Sequence, residues 1–319
     1  MKKLTLDKGD FRIFWIKNAV PILLIIFAIS MVFVNRTFSS WDNISNIINE
    51  FAIYGITACA MTTAIICGEF DLSCASVFGW STVLFCLTCT AFGVLPAFLI
   101  TMLSGVVLGA FNGFLVAKVR MPAFIATLGT MTAIKGLAYV VTDAQPIKTE
   151  NETLYAISKF NIGGITIVPL VFIVVVVIFI WFLKFTKFGR GIYATGGNYE
   201  VARLSGINVK FYKFIVFVLL GACAALSGIM YGSRIMAGWA PYGSDLALYC
   251  VTVTVIGGTS LMGGNGGVHR TIIGILFMGV IFNALTLLSV GGSMQKFVRG
   301  IVLISVIMFD AITSKRHKA

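Results

Sequence analysis

Long runs of apolar residues, separated by short polar or basic connectors, set the pattern of this chain. Stretches of about 17 to 25 such residues read as helices able to cross a bilayer, and shorter ones are accepted where Gly or Pro interrupts them. Ten fall at approximately 18–35, 49–67, 72–91, 95–117, 123–142, 166–185, 213–234, 245–258, 270–290 and 296–313. The expected fold is an all-α integral membrane protein of about ten transmembrane helices, a single transmembrane domain over residues 1–319 whose longest connector is the loop at 186–212. The first run follows Lys2, Lys3, Lys8, Arg12 and Lys17 and shows no small-residue cleavage site before Asn35-Arg36, so it is expected as a retained span.

Charge then orients the bundle. With the N-terminus in the cytoplasm, the inner connectors hold 17 of the 24 Lys and Arg residues, including Lys118, Arg120, Lys184, Lys213, Arg270, Lys315, Arg316 and Lys318. The outer connectors hold six: Arg36, Lys148, Lys159, Arg234, Lys296 and Arg299. Both termini are therefore expected in the cytoplasm. Dropping or adding a span would exchange the sides of every later connector, so the same asymmetry favours an even count.

Two parts of the chain share spaced signals. Asp71-Leu72 precedes Asn112, in Phe111-Asn112, by about 41 residues, and Asp245-Leu246 precedes Asn283, in Phe282-Asn283, by about 38. Spans 2–5 and 7–10 then read as copies, and an offset of five spans makes them inverted repeats. Each copy is interrupted. Gly68-Glu69-Phe70-Asp71-Leu72-Ser73 breaks one apolar stretch, and a glycine-dense run from Gly257 to Gly267 separates two others. Irregular backbone at membrane depth requires shielding by protein or water, which makes both places candidates for half-helix elements; for the glycine run a flexible inner turn remains an equal alternative. Asp71 and Asp245 each precede an apolar run and are read first as helix caps. The competing reading makes Glu69, Asp71 and Asp245 the ion sites of a coupled carrier.

Composition narrows the chemistry. The chain of 319 residues is 58% hydrophobic and 11% charged, with a mean hydropathy of +0.98, so lipid is the solvent for most of it. The net charge of +12 is dispersed among connectors, which argues against nucleic acid as a partner. Seven cysteines lie in or beside apolar segments and read as small buried residues, Cys86 and Cys89 included. The glycine run lacks the Lys-Ser/Thr of a nucleotide loop, and the Ser, His and acidic residues form no catalytic triad signature. Neither catalytic residue, metal site nor cofactor is expected in the chain.

The loop has its own local logic. Residues 200–205 read as a short amphipathic helix, preceded by Gly196-Gly197-Asn198 and stopped by Gly206. A polar helix displayed at the inner face is suited to docking, the alternative being contact with lipid headgroups. Residues 186–209 closely resemble the coupling region of permeases in the ribose, xylose, arabinose and galactoside class of ATP-binding-cassette importers. Gly68 to Ser76 is similar to that family's Gly-Gly-Ile-Asp-Leu-Ser segment, Met121-Pro122-Ala123-Phe124-Ile125-Ala126-Thr127-Leu128-Gly129 to its Pro-x-Phe-Ile-Ala-Thr-Leu-Gly segment, and Gly257 to Gly266 to its Gly-Gly-Thr-Ser-Leu-x-Gly-Gly run. The resemblance runs from about Asn49 to Asp310. It departs at Glu69 and Phe70, where Gly and Ile are usual, and at Cys74, where Val is common.

The resemblance implies a permease subunit in the bacterial cytoplasmic (inner) membrane, paired with a second copy or a sister permease around a path for a monosaccharide. It implies a cytoplasmic ATPase subunit that binds ATP and Mg, and an extracellular or periplasmic solute-binding protein. Nucleosides, amino acids or a signalling furanose are alternative cargoes within the same class. Coupling is expected at Gly196, Gly197, Asn198, Glu200, Ala202, Arg203, Leu204 and Gly206, with Glu200 and Arg203 orienting the helix and Leu204 seated in the ATPase. Asn112, Phe124, Thr127 and Asn283 are the expected lining of the path, because amides, hydroxyls and rings suit a sugar; helix-to-helix hydrogen bonding is the commoner role of such Asn and Thr residues.

Overall fold

The computed structural model describes the backbone of residues 8–316 and the side chains of residues 20–308. Lys2, Lys3, Lys315, Arg316, His317 and Lys318, which anchor the two ends of the orientation argument, lie outside the described side chains.

Thirteen helices carry the described chain. In order they are α1 (Lys8–Val34), a 3-10 turn (Arg36–Ser39), α2 (Trp41–Ile66), α3 (Cys74–Phe92), α4 (Val94–Ala117) and α5 (Ala123–Thr142). There follow β1 (Ile147–Lys148), α6 (Glu152–Lys159), β2 (Asn161–Ile162), β3 (Ile165–Thr166), α7 (Ile167–Phe185), α8 (Lys187–Gly197) and α9 (Tyr199–Leu204). The chain continues through α10 (Val209–Ile235), β4 (Ala237–Gly238), α11 (Leu246–Ile256), α12 (Val268–Leu287) and α13 (Gly292–Arg316). The architecture is all-helical, as the apolar runs predict. Seven helices among the described residues, α2, α3, α4, α5, α7, α10 and α12, are long and apolar enough to cross a membrane.

Two expectations need correction. The run at 245–258 gives only the 11 residues of α11, about 16 Å of helix against a hydrocarbon core of about 30 Å. Gly257-Gly258 end it on one side, and the preceding Gly243-Ser244-Asp245 forms turns instead of extending it. Residues 187–197, expected as irregular loop, form α8, so Gly196 and Gly197 belong to a last helical turn instead of a linker. Thr186 starts this helix by accepting the Gly189 N–H at 3.1 Å.

Successive apolar helices run between two ends of the bundle. At one end β1 pairs with β4, Ile147 opposite Gly238; the Thr149 N–H donates to the Met236 carbonyl at 3.1 Å, and the β2–β3 hairpin is held to α2 by Asn49, whose Oδ1 accepts from the Thr166 hydroxyl at 2.7 Å. At the other end the Gly264 N–H donates to the Ile66 carbonyl at 2.8 Å, beside α8 and α9. Connectors predicted to share a side therefore meet in space.

The core forms around α2, which touches α7, α10, α11 and α12. From Phe51 to Cys67 every α2 side chain is buried except Tyr54. The second organising contact is the crossing of α4 and α10. Lipid offers no hydrophobic drive for helices to associate, so close backbone approach and dispersion must supply it. Gly105, Gly109 and Gly113 line one stripe of α4, and a Cβ on Gly221 of α10 would stand 2.8 Å from the Gly109 Cα. A Gly221→Val variant is expected to lose about 1–3 kcal/mol through overpacking, read as a lowered thermal midpoint of the purified permease; an unchanged midpoint would remove the crossing from the core.

Candidate functional site

At the α8 end, capping builds a rigid display of α9. Asn198 ends α8, and its Oδ1 accepts the Val201 N–H at 3.1 Å, which opens α9. Glu200 and Arg203 pair across one turn at 3.1 Å. Both are exposed, so this pair orients side chains more than it stabilises the helix. Gly206 closes α9 at φ +81°, and the Ile207 N–H donates to the Ala202 carbonyl at 3.0 Å. Asn208 then caps α10, its Oδ1 accepting the Phe211 N–H at 3.2 Å. Ala202 faces inward and is buried, whereas Leu204 is 80% exposed.

This display is clamped to the bundle through backbone. Gly196 lies directly on the Ile66 carbonyl, leaving no room for a Cβ, and a Cβ on Gly264 would stand 2.6 Å from the Gly197 Cα. The glycine run at 257–267 is thus an ordered turn at the end of the bundle, and the half-helix is the α11 segment before it. Tyr193 of α8 donates its hydroxyl to the Gly266 carbonyl at 2.8 Å. Burial raises the pKa of that phenol, while Arg270 nearby pulls the other way. A cavity of about 450 Å³ lies beside it, lined among others by Lys184, Arg190 and His269.

The break at 67–73 is closed by side chains. Gly68 takes φ +83°, which lets the Glu69 N–H reach back to the Ala64 carbonyl at 2.9 Å. The buried Glu69 carboxylate is ion-paired with Lys213 in the first turns of α10, and the same lysine stands 5.3 Å from the Tyr199 ring of α9. Asp71 lies two residues before the cap position of α3, which Ser73 occupies without a side-chain cap bond; its Oδ1 accepts the Ser73 N–H at 2.7 Å and the Ser73 hydroxyl at 2.6 Å, closing a turn that leads into the helix. Asn112 donates to the Ser73 hydroxyl oxygen at 2.7 Å, tying α4 to the break.

Asp245 corrects the capping expectation. It occupies the position before α11 yet makes no side-chain cap bond; its Oδ2 instead accepts from Arg299 Nη1 of α13 at 3.3 Å. A full guanidinium charge outcompetes a backbone N–H for the carboxylate. Arg299 also lies 4.6 Å from the Phe282 ring centroid.

The four residues expected to line one path are not brought together. Asn112 is buried at the first break, and Thr127, also buried, donates to the Ala123 carbonyl of its own helix at 2.8 Å. Phe124 is 59% exposed on the flank of α5. Asn283 forms a reciprocal amide pair with Asn43 at 3.0 and 2.8 Å. Asn112 and Asn283 join helices, and Thr127 satisfies itself, which is the usual way a polar group is accommodated in an apolar bundle.

An aromatic cluster that the sequence reading missed lies where α2, α3, α10 and α11 meet. The Tyr54 ring of α2 is 5.5 Å from Tyr249 of α11, 6.1 Å from Phe78 of α3 and 6.4 Å from Tyr231 of α10. Tyr242 adjoins Tyr231 at 5.2 Å, and Trp239 adjoins Tyr242 at 5.6 Å. The only signal in the sequence was tyrosine within apolar runs, where each hydroxyl needs a partner.

Comparison with known proteins gives the chain its family. The family described as "Branched-chain amino acid transport system / permease component" matches residues 43–307. The ribose import permease of Haemophilus influenzae is 36% identical over 301 residues, covering 92% of this chain and 92% of its own length. An L-arabinose transport system permease of Escherichia coli is 33% identical over 321 residues, 97% of this chain and 94% of its own, and the ribose import permease of Bacillus subtilis is 37% identical over 292 residues, 90% of each. No solved structure matches the chain. Matched over most of its length by a permease family and by relatives of equal extent, the chain belongs to the permease components of ATP-binding-cassette importers.

Proposed function

We propose that this permease carries a monosaccharide into the cell, driven by a separate ATPase that docks on α9. The observation that carries the docking reading is Leu204: a large apolar side chain, 80% exposed, on a short helix fixed at both ends by caps and glycine contacts. Exposed apolar residues on a rigid display, Leu204 with the 57% exposed Val201 on the same helix, are what a groove in a partner would take. The relatives named for ribose and arabinose support a five-carbon sugar as the first candidate cargo. In this reading ten segments cross the bilayer, α1, α11 and α13 joining the seven long spans, with both termini and α9 in the cytoplasm, where ATP and Mg are bound by the partner. A solute-binding protein delivers sugar at the opposite end, and a second copy or sister permease completes the path.

Closure of the ATPase would press on α9 and pass through α8 to Ile66 and Gly264, the ends of the first break and the glycine turn. Lys213 gives a second route, because its ion pair with Glu69 connects the start of α10 to the first break. The ion-coupled reading loses support from the same geometry, since Glu69, Asp71 and Asp245 are each engaged by a neighbour.

Leu204→Glu is expected to reduce uptake of labelled ribose or arabinose at least tenfold in cells that express the ATPase and receptor, with the amount of permease in the membrane unchanged. Wild-type uptake by this variant would overturn the docking reading, as would labelling of α9 from outside intact cells. Glu200→Arg, which replaces the pair with two cations, should lower uptake in the same direction.

Lys213→Met should destabilise the permease by about 3 kcal/mol by stranding a buried carboxylate. The double variant Glu69→Gly with Lys213→Met should recover most of that loss, as read by thermal unfolding in detergent. Equal midpoints for the single and double variants would dissolve the link.

A further inference from the structure

We infer that the cavity beside Tyr193 is a headgroup site for an anionic phospholipid, in the leaflet at the end of the bundle that carries α8 and α9. The inference stands on the membrane permease assignment and is independent of the solute carried. The cavity is about 450 Å³, within the span of ligand clefts, about 300–1,000 Å³. Three elements meet around it: the end of α7 gives Lys184, α8 gives Arg190 and the first turn of α12 gives His269. All three residues are exposed, so the cavity opens outward.

Its charge is of one sign. No Asp or Glu lines the cavity, and among the described residues neither Lys184, Arg190 nor the adjoining Arg270 pairs with a carboxylate. Cations crowded at one place repel one another, and an anion set among them removes that repulsion. A guanidinium takes two oxygens of a phosphate at once, and the lysine adds a point charge. A zwitterionic headgroup would bring a further cation into a cluster with no carboxylate to receive it, so a headgroup of net negative charge is favoured.

The wall selects a lipid over a soluble anion. Ile180, Leu183 and Val268 form the apolar side of the cavity. Ile173, Val177, Ile180 and Lys184 recur at intervals of four, three and four, so they share one face of α7. Ile173 and Val177 are exposed, and the stripe runs about 17 Å from Lys184 to Ile173 at 1.5 Å per residue, close to half of a hydrocarbon core of about 30 Å. That is the depth an acyl chain of one leaflet occupies. Trp181, exposed one turn before Lys184, is the residue type enriched where a helix leaves the hydrocarbon. Basic pockets between membrane helices are a recurrent place for acidic headgroups. The site also bears on the proposed coupling route, because Tyr193 lines it and donates to the Gly266 carbonyl; a bound headgroup would tie α7, α8 and α12 around that bond.

Thermal unfolding of the purified permease in detergent tests the site with three probes: dioleoyl phosphatidylglycerol, dioleoyl phosphatidylcholine and inorganic phosphate. Phosphatidylglycerol is expected to raise the midpoint saturably, by about 2–4 °C, and the other two to leave it in place. Lys184→Gln with Arg190→Gln should keep the midpoint measured in phosphatidylcholine and lose that increment. Lys118→Gln with Lys187→Gln, an equal change of charge outside the cavity, should retain it, and so should Arg190→Lys alone. Where the cavity variant unfolds too early for the comparison, native mass spectrometry of Arg190→Gln counts the phosphatidylglycerol carried per permease, with one molecule fewer expected than in the wild type. An increment, or a lipid count, equal in wild type and cavity variant would overturn the site, as would equal increments from the two lipids. An effect of inorganic phosphate as large as that of phosphatidylglycerol would replace the lipid with a soluble anion. A cavity variant that keeps the lipid increment but no longer copurifies with the ATPase would overturn the lipid site and give the cavity to an acidic surface of that subunit.

Discussion

In hydrocarbon no water is present to bond an open backbone, so every N–H and C=O must be satisfied within the protein. That constraint makes the helices of this permease, and it makes the places where helices stop the costly and informative ones. At 67–73 the chain meets it with Gly68 in the left-handed region, a backward bond from Glu69 and the Asp71, Ser73 and Asn112 chain. At 236–245 it uses the β1–β4 pair and a series of turns that deliver the chain to α11. Both solutions draw on side chains or strands far away in sequence, so neither break can relax alone.

What was legible in the sequence follows from the same constraint. Helices such as α5 and α7 begin and end within a residue or two of their apolar runs, because in lipid composition nearly dictates them. The short helix α9 was legible through its local punctuation, Asn198 and Gly206, since caps act over three or four residues. Helix α8 was hidden: its glycines at 189, 191, 196 and 197 are poor helix formers, and they are needed because backbone, not side chain, meets the neighbouring segments. The aromatic cluster was illegible for another reason. Tyr54, Tyr231, Tyr242 and Tyr249 come from separate segments, and no spacing rule joins them before the bundle does. Asp245 looked like a cap because the sequence does not reveal that Arg299 stands opposite.

The end of the bundle that carries α8 and α9 is built for stiffness. Contacts between α8, the end of α2 and the glycine turn are made through backbone and glycine, so they have no rotamers through which a displacement could be absorbed. The Glu69 and Lys213 pair adds a polar tie from α10 to the first break.

The crossing of α4 and α10 is a seam of glycine against glycine backbone. With a Cβ on Gly221 only 2.8 Å from the Gly109 Cα, that seam leaves no slack for the two helices to slide past each other there. Any shear between helices must therefore run elsewhere, and the outer flanks of α5 and α7, which carry Phe124, Val140, Val174 and Trp181, present apolar side chains suited to lipid or to a neighbouring subunit. The permease is in this sense a glycine-packed spine with an apolar perimeter, so two helices that touch through backbone can move only as one.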